Sequence, residues 1–79
     1  MSAEGIERLR SYTDRVVRMT TTSGEEMTVK ILFLFDEEQD FCHDVLSTNR
    51  ESEYKRPLNS AAYVTRYDDI VSFELVKER

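Results

Sequence analysis

Four carboxylates lie within residues 36–40 of this 79-residue chain. They are its densest group of side chains that could bind a ligand or take part in a reaction. Asp36, Glu38 and Asp40 have the spacing of the first, third and fifth ligands of a calcium-binding loop. Such a loop needs glycine at its sixth position and glutamate at its twelfth, where this chain has Phe41 and Ser47. The pattern therefore predicts no calcium site. We interpret the run as a solvated, repulsive turn, with weak cation binding or contact with a basic protein as alternatives.

Two further pairs have the residue types of catalytic sites. Cys42 and His43 are neighbours in a segment that alternates like a strand, so their side chains point to opposite faces and cannot act as a nucleophile–base pair. Asp68 and Asp69 occupy a turn, where aspartates usually accept hydrogen bonds from the backbone. With only two glycines, the chain has no glycine-rich phosphate loop. We predict no catalytic residue, no metal site and no cofactor.

The elements that must position these residues are one short helix and five strands. Ser2 can cap a helix over about residues 2–13, in which Ile6 and Leu9 share an apolar face. The strand segments are residues 16–21, 27–35, 41–48, 61–66 and 70–76. Residues 49–60 form the only long polar stretch and predict a mobile loop, with an aromatic-basic cluster at 54–56. A helix followed by short strands is typical of a small barrel or rolled sheet.

The second strand segment has an unusual apolar pattern. Residues 27, 29, 31, 33 and 35 are all apolar and alternate, which predicts that Phe33 and Phe35 share the core face with Ile31. Leu32 and Leu34 make the other face apolar as well, so we expect the helix or a neighbouring chain to cover them.

The chain is small enough to need a further source of stability. Its single cysteine excludes an internal disulfide and is typical of a reducing compartment. Self-association is the remaining source. The longest apolar run, residues 31–35, is far shorter than the ~20 residues that cross a bilayer. We expect a soluble, cytoplasmic protein with no membrane contact.

The order of these features resembles the Sm-like (LSm and Hfq-type) family of small β-barrels. Gly24 stands at the family's glycine turn, Phe35-Asp36 matches its aromatic-aspartate pair, and Gln39-Asp40 replaces methionine-asparagine. The second signature, an apolar strand ending in arginine-glycine before an isoleucine-rich strand, corresponds to residues 64–73. There Tyr67 replaces the glycine.

The resemblance implies a mainly β fold in a single domain. An N-terminal helix would precede a strongly bent, five-stranded antiparallel barrel over about residues 16–76. It also implies a homo-oligomeric ring in which the fourth strand of one subunit pairs with the fifth strand of the next. The subunit interface would contain Val64, Ile70, Val71, Phe73 and Leu75. By position, the family's nucleic-acid pocket falls on Asp36, Glu38, Asp40 and Arg66, with Tyr67 beside it as a stacking residue.

Charge disfavours RNA as the partner. The formal net charge is −5, with a balance of +1 in residues 1–23 and of −6 in the remainder of the chain. Phosphate binding depends on cations, and carboxylates at 36–40 repel it. We therefore expect a non-enzymatic ring that acts as a binding scaffold for an unknown protein. The alternative is a divergent RNA-binding ring that uses the arginines at positions 8, 10, 15 and 18.

Overall fold

Helix α1 spans Ala3–Ser11 and begins at the predicted cap, where the Ser2 side chain accepts a hydrogen bond from the Gly5 amide at 3.1 Å. The computed structural model describes residues 1–54 and 62–76. Leu9 is completely buried and joins the helix to the core of the sheet. The helix is about one residue shorter at its start and two shorter at its end than predicted.

Five strands follow the helix, joined by short turns. Their bounds are β1 Val16–Thr21, β2 Glu26–Phe35, β3 Asp40–Thr48, β4 Tyr63–Arg66 and β5 Ile70–Leu75. Two 3₁₀ turns, Glu51–Glu53 and Tyr67–Asp69, precede β4 and β5. Part of the predicted 49–60 loop and the predicted start of the fourth strand at residue 61 lie outside the described residues. Among the residues described, no helix combines the length and apolar character needed to cross a bilayer.

All paired strands are antiparallel and lie in the order β4-β3-β2-β1-β5. The predicted mainly β fold, with an N-terminal helix and five antiparallel strands, is confirmed. The predicted closed barrel is wrong, because β4 and β5 lie at opposite edges and are not paired with each other. For the same reason Tyr67–Asp69 is not a hairpin turn: it carries the chain from one edge of the sheet to the other.

The sheet curls around its core although it does not close. Thr21 of β1 and Thr65 of β4 line the same cleft, even though β2 and β3 separate these strands in the sheet. Side chains on the inner, concave face form the core. They include Val17, Met19, Val29, Ile31, Phe41 and Val45.

A β-bulge reverses the faces of β2. Ile31 pairs with His43 and Phe33 pairs with Cys42, so Leu32 is an extra residue on β2. Beyond the bulge, Leu34 is buried and Phe33 is 59% exposed. The prediction that Phe33 shares the core face with Ile31 is therefore wrong. Leu34 is a member of the core of its own chain, and not part of the opposite face that the helix or a neighbouring chain was expected to cover.

A second bulge affects β5. Thr20 pairs with Ser72 and Thr21 pairs with Ile70, which leaves Val71 as the extra residue. Val71 is 66% exposed, whereas Ile70 is buried and Phe73 is half-buried. Simple alternation along residues 70–76 predicts Val71 and Phe73 on one face and Ile70 on the other, and the bulge makes that prediction wrong.

Candidate functional site

The carboxylates of the predicted nucleic-acid pocket lie at the turn between β2 and β3. Asp36 and Glu38 are exposed, and Asp40 begins β3 directly opposite Arg66 of β4. The Arg10 guanidinium of α1 forms an ion pair with Asp36. Its hydrogen bond to the Asp36 carboxylate is the main cause that raises the pKa of Arg10. Asp36 therefore fastens the turn to the helix. The structure brings the four pocket residues to one end of the sheet.

Tyr67 does not complete this pocket. Its side chain is only 1% exposed and its ring stacks on Phe41, with centroids 6.0 Å apart. The Tyr67 amide donates to the Gln39 carbonyl at 3.0 Å, which holds the 3₁₀ turn against the β2–β3 turn. Burial is the main cause that raises the pKa of Tyr67. The expectation that Tyr67 could stack on a base at the surface is wrong, because the ring is part of the core.

The N-terminal arginines have partners on their own chain. The Arg8 guanidinium lies 4.5 Å from the centre of the Phe73 ring, in the range of a cation–π contact. Arg10 binds Asp36, and Arg18 approaches Glu74 at 3.6 Å. A nucleic acid would have to compete with these contacts.

An open cleft of about 370 Å³ lies on the concave side between β4 and the β1–β2 turn. Hydroxyl and carboxyl groups dominate its lining. The lining residues are Thr21, Thr22, Ser23, Glu25, Met27, His43, Tyr54, Tyr63, Val64, Thr65 and Asp69. Sequence reasoning missed this cleft, because its lining residues come from four strands and three connecting segments that are distant in the chain.

His43 lies at the base of this cleft and is 1% exposed. Its Nε2 atom and the Thr65 hydroxyl oxygen are 2.7 Å apart, so they share a hydrogen bond. Its Nδ1 atom makes no well-formed hydrogen bond within the described part of the chain. Burial lowers the pKa of His43, against a smaller opposing effect of the Asp44 backbone and of nearby carboxylates. The imidazole is therefore held in its neutral form, which fits a structural role better than a general acid.

A polar network closes one side of the cleft. The Glu25 carboxylate accepts hydrogen bonds from the Tyr54 hydroxyl at 2.7 Å and from the Thr48 hydroxyl at 2.5 Å. Burial and the bond to Glu25 raise the pKa of Tyr54. Of the predicted aromatic-basic cluster, Tyr54 is thus engaged inside its own chain, and its two basic members lie outside the described residues.

The two edges of the sheet present backbone groups that no described strand satisfies. The Tyr67 amide points at β3, so by alternation Thr65 also faces β3 while Val64 and Arg66 face the free edge. At the other edge, the Val76 amide donates to the Val16 carbonyl at 3.0 Å. The backbone groups of Phe73 and Leu75 therefore point outward.

The residues of the predicted subunit interface differ in how far their side chains are exposed to solvent. Val64 is 60% exposed, Val71 is exposed, and Phe73 and Leu75 are half-buried. Ile70 is 7% exposed within its own chain, so its side chain is not available to a neighbour. Four of the five residues thus lie at the surface of the two edge strands.

Comparisons with protein-family models, with curated proteins and with solved structures found no significant match. No family is assigned on that basis. Within residues 1–54 and 62–76, no three His, Cys, Asp or Glu side chains are grouped closely enough to hold a metal ion. The free edges are therefore the feature of the described structure that most directly indicates a function.

The burial of His43 predicts a pH dependence of stability. The unfolded chain binds a proton near the ordinary pKa of about 6.5, and the folded chain binds it only at lower pH. The contribution of His43 to the free energy of unfolding should thus be constant above about pH 7 and fall as the pH drops through about 6.5. Urea unfolding at pH 7.5 and pH 5.5, at one protein concentration, measures this. His43 is the only histidine, so His43→Gln should remove most of the decrease. Equal decreases in both proteins would contradict the prediction.

The charges and the buried Tyr67 predict weak RNA binding. Labelled oligo-uridine should show little or no saturable binding at about 0.15 M salt, because exposed carboxylates repel phosphates and the pocket lacks a stacking surface. Fluorescence anisotropy at low and moderate salt measures this. Tight binding that is lost in Arg66→Ala but kept in Arg18→Ala would contradict it and favour the predicted pocket.

Proposed function

We propose that this chain is a non-enzymatic, Sm-like assembly module. Copies of it would join into a homo-oligomeric ring that acts as a cytoplasmic binding scaffold for another protein. The single observation that carries the proposal is the strand order β4-β3-β2-β1-β5, which leaves one side of β4 and one side of β5 without a partner strand among residues 1–54 and 62–76.

Unpaired strand edges are costly for a soluble protein, because they expose backbone donors and acceptors to other chains. Natural proteins protect such edges with prolines, lysines or inward-pointing charges. Here β4 contains one charged residue, Arg66, and β5 contains one, Glu74, and neither strand contains proline or lysine. Glu74 is moreover paired with Arg18. The edges therefore have little protection against pairing, as expected of strands that pair with a neighbour.

Pairing of β4 with β5 of the next copy joins two different surfaces. Such head-to-tail contacts close into a ring when the rotation between copies allows it, and otherwise continue as a filament. The resemblance to Sm-like proteins favours the ring. The strands that the resemblance assigns to the subunit contact, the fourth and the fifth, are the two that lie at the edges of the sheet.

A protein is the partner that best fits the exposed surface. Asp36, Glu37 and Glu38 are exposed at the β2–β3 turn, and a ring would repeat this acidic turn in every copy. Such a surface repels nucleic acid and is suited to a basic or polar protein surface. The RNA-binding ring remains the alternative, with Arg66 as the exposed cation of the predicted pocket.

Removing one backbone donor from the β4 edge tests the assembly. Val64→Pro deletes an outward-facing amide while its exposed side chain leaves the core intact, so each copy should fold but no longer pair. Light scattering should show a multimer for the unchanged protein and a monomer, or at least a tenfold weaker assembly, for Val64→Pro. Val64→Thr keeps the amide and serves as the control. A monomeric unchanged protein would overturn the proposal.

Thiol crosslinking tests which edges meet. In a Cys42→Ala background, a Val64→Cys chain mixed with a Leu75→Cys chain should crosslink. The reason is that the backbone groups of residues 64 and 75 point toward the free edges of β4 and β5, which would meet in the ring. Neither chain should crosslink with itself, and denaturing electrophoresis of single and mixed samples measures this. Crosslinking of Val64→Cys alone would indicate a two-fold β4–β4 dimer and exclude the ring.

A further inference from the structure

Three residues form an apolar row on the outer, convex face of the sheet. Phe33 of β2 pairs with Cys42 of β3, and Cys42 pairs with Val64 of β4, so their side chains lie side by side on one face. Phe33 and Val64 are 59% and 60% exposed. The Phe35 ring lies 5.0 Å from the Phe33 ring and widens the row. We call Phe33, Cys42 and Val64 the outer row.

The core of the chain does not need the outer row. The bulge at Leu32 turns Phe33 away from the core. On the inner face of the same two strands, Leu34 and Phe41 already fill the core. Phe33 and Val64 are exposed apolar side chains on either side of Cys42, and Val64 lies at an open sheet edge. Such a surface is prone to association. Because the row ends at Val64, it reaches the edge where β4 lacks a partner.

Hydrogen-bond alternation shows which surface of a second copy would continue this row. At the β4 edge, the outward-facing backbone groups belong to Val64 and Arg66, whose side chains lie on the outer face. At the β5 edge they belong to Phe73 and Leu75. These pair with Met19 and Val17 of β1 and therefore lie on the inner face. Residues directly opposite in an antiparallel pair share both their hydrogen-bonding state and their face. Pairing of β4 with β5 thus places the outer face of one copy beside the inner face of the next.

We propose that the outer row is covered by a second copy of this chain, through the inner side of its β5 and the helix packed there. This inference rests on the proposed function and adds the surface beyond the strand edges. In that second copy, α1 stands over β5: Tyr12 contacts Phe73 edge-on, with centroids 6.2 Å apart, and Arg8 lies over the same ring. The helix therefore lies over β5 on its inner side, the side to which the outer row of its neighbour continues.

Phe33 provides the test, because it lies two strands away from the β4 edge and contributes nothing to edge pairing itself. Phe33→Ser should weaken assembly at least tenfold in the dissociation constant, measured by light scattering over a dilution series. Leu46→Ser is the matched control: Leu46 is an exposed apolar residue of β3 outside the row and should leave the assembly within about twofold. Unchanged circular dichroism spectra show that both variants fold.

The thiol of Cys42 gives a second readout on the unchanged protein. It should react slowly with a maleimide in the assembled state and at least tenfold faster in the Val64→Pro monomer. If Val64→Pro dissociates the assembly while Phe33→Ser does not, and Cys42 reacts equally fast in both states, the inference is overturned and the edge-paired ring stands. If the unchanged protein is a monomer, the proposed function fails first and the inference with it.

Discussion

Backbone hydrogen bonding at the two ends of the sheet is the constraint on which the rest of this structure depends. Strands β1, β2 and β3 have neighbours on both sides, whereas β4 and β5 each have one. The curl of the sheet brings β4 toward the β1–β2 turn, where an open cleft remains. Side-chain hydroxyls and the Glu25 carboxylate form hydrogen bonds with one another at this cleft, but they do not pair with the backbone of β4 as a strand would. The part of the chain that the structure describes is thus a folded unit with two strand edges that lack a partner.

Periodicity and capping residues were sufficient to predict most of the elements. The Ser2 cap, the strand alternation of Phe41, His43 and Val45, and the opposite orientation of Cys42 all agree with the structure. What periodicity could not predict were the register shifts at Leu32, Leu46 and Val71. A run such as residues 31–35 is apolar at every position, so nothing in it marks where the alternation shifts by one. The shift at Leu32 is determined by pairing with β3, which is a tertiary interaction.

The site was predicted less completely than the fold. The resemblance grouped Asp36, Asp40 and Arg66 in one pocket, and the β2–β3 turn and the β3–β4 register bring them to one end of the sheet. Tyr67 was assigned to the surface since it stands where the family has glycine, next to an arginine. In the structure the ring fills the space beside Phe41. A large side chain in place of glycine adds core volume here, and its burial removes the pocket's only aromatic group.

An odd number of antiparallel strands has a consequence for how copies can join. With five strands, β4 and β5 run in the same direction, and the outward backbone groups belong to outer-face residues at one edge and to inner-face residues at the other. Flat copies joined through these edges would each be turned over relative to the last. A curled sheet supplies part of that turn inside each chain, because the normals of its two edge strands already diverge. The bulges at Leu32 and Val71 bend the sheet. If copies join as proposed, this curvature would allow a ring to close instead of a filament continuing.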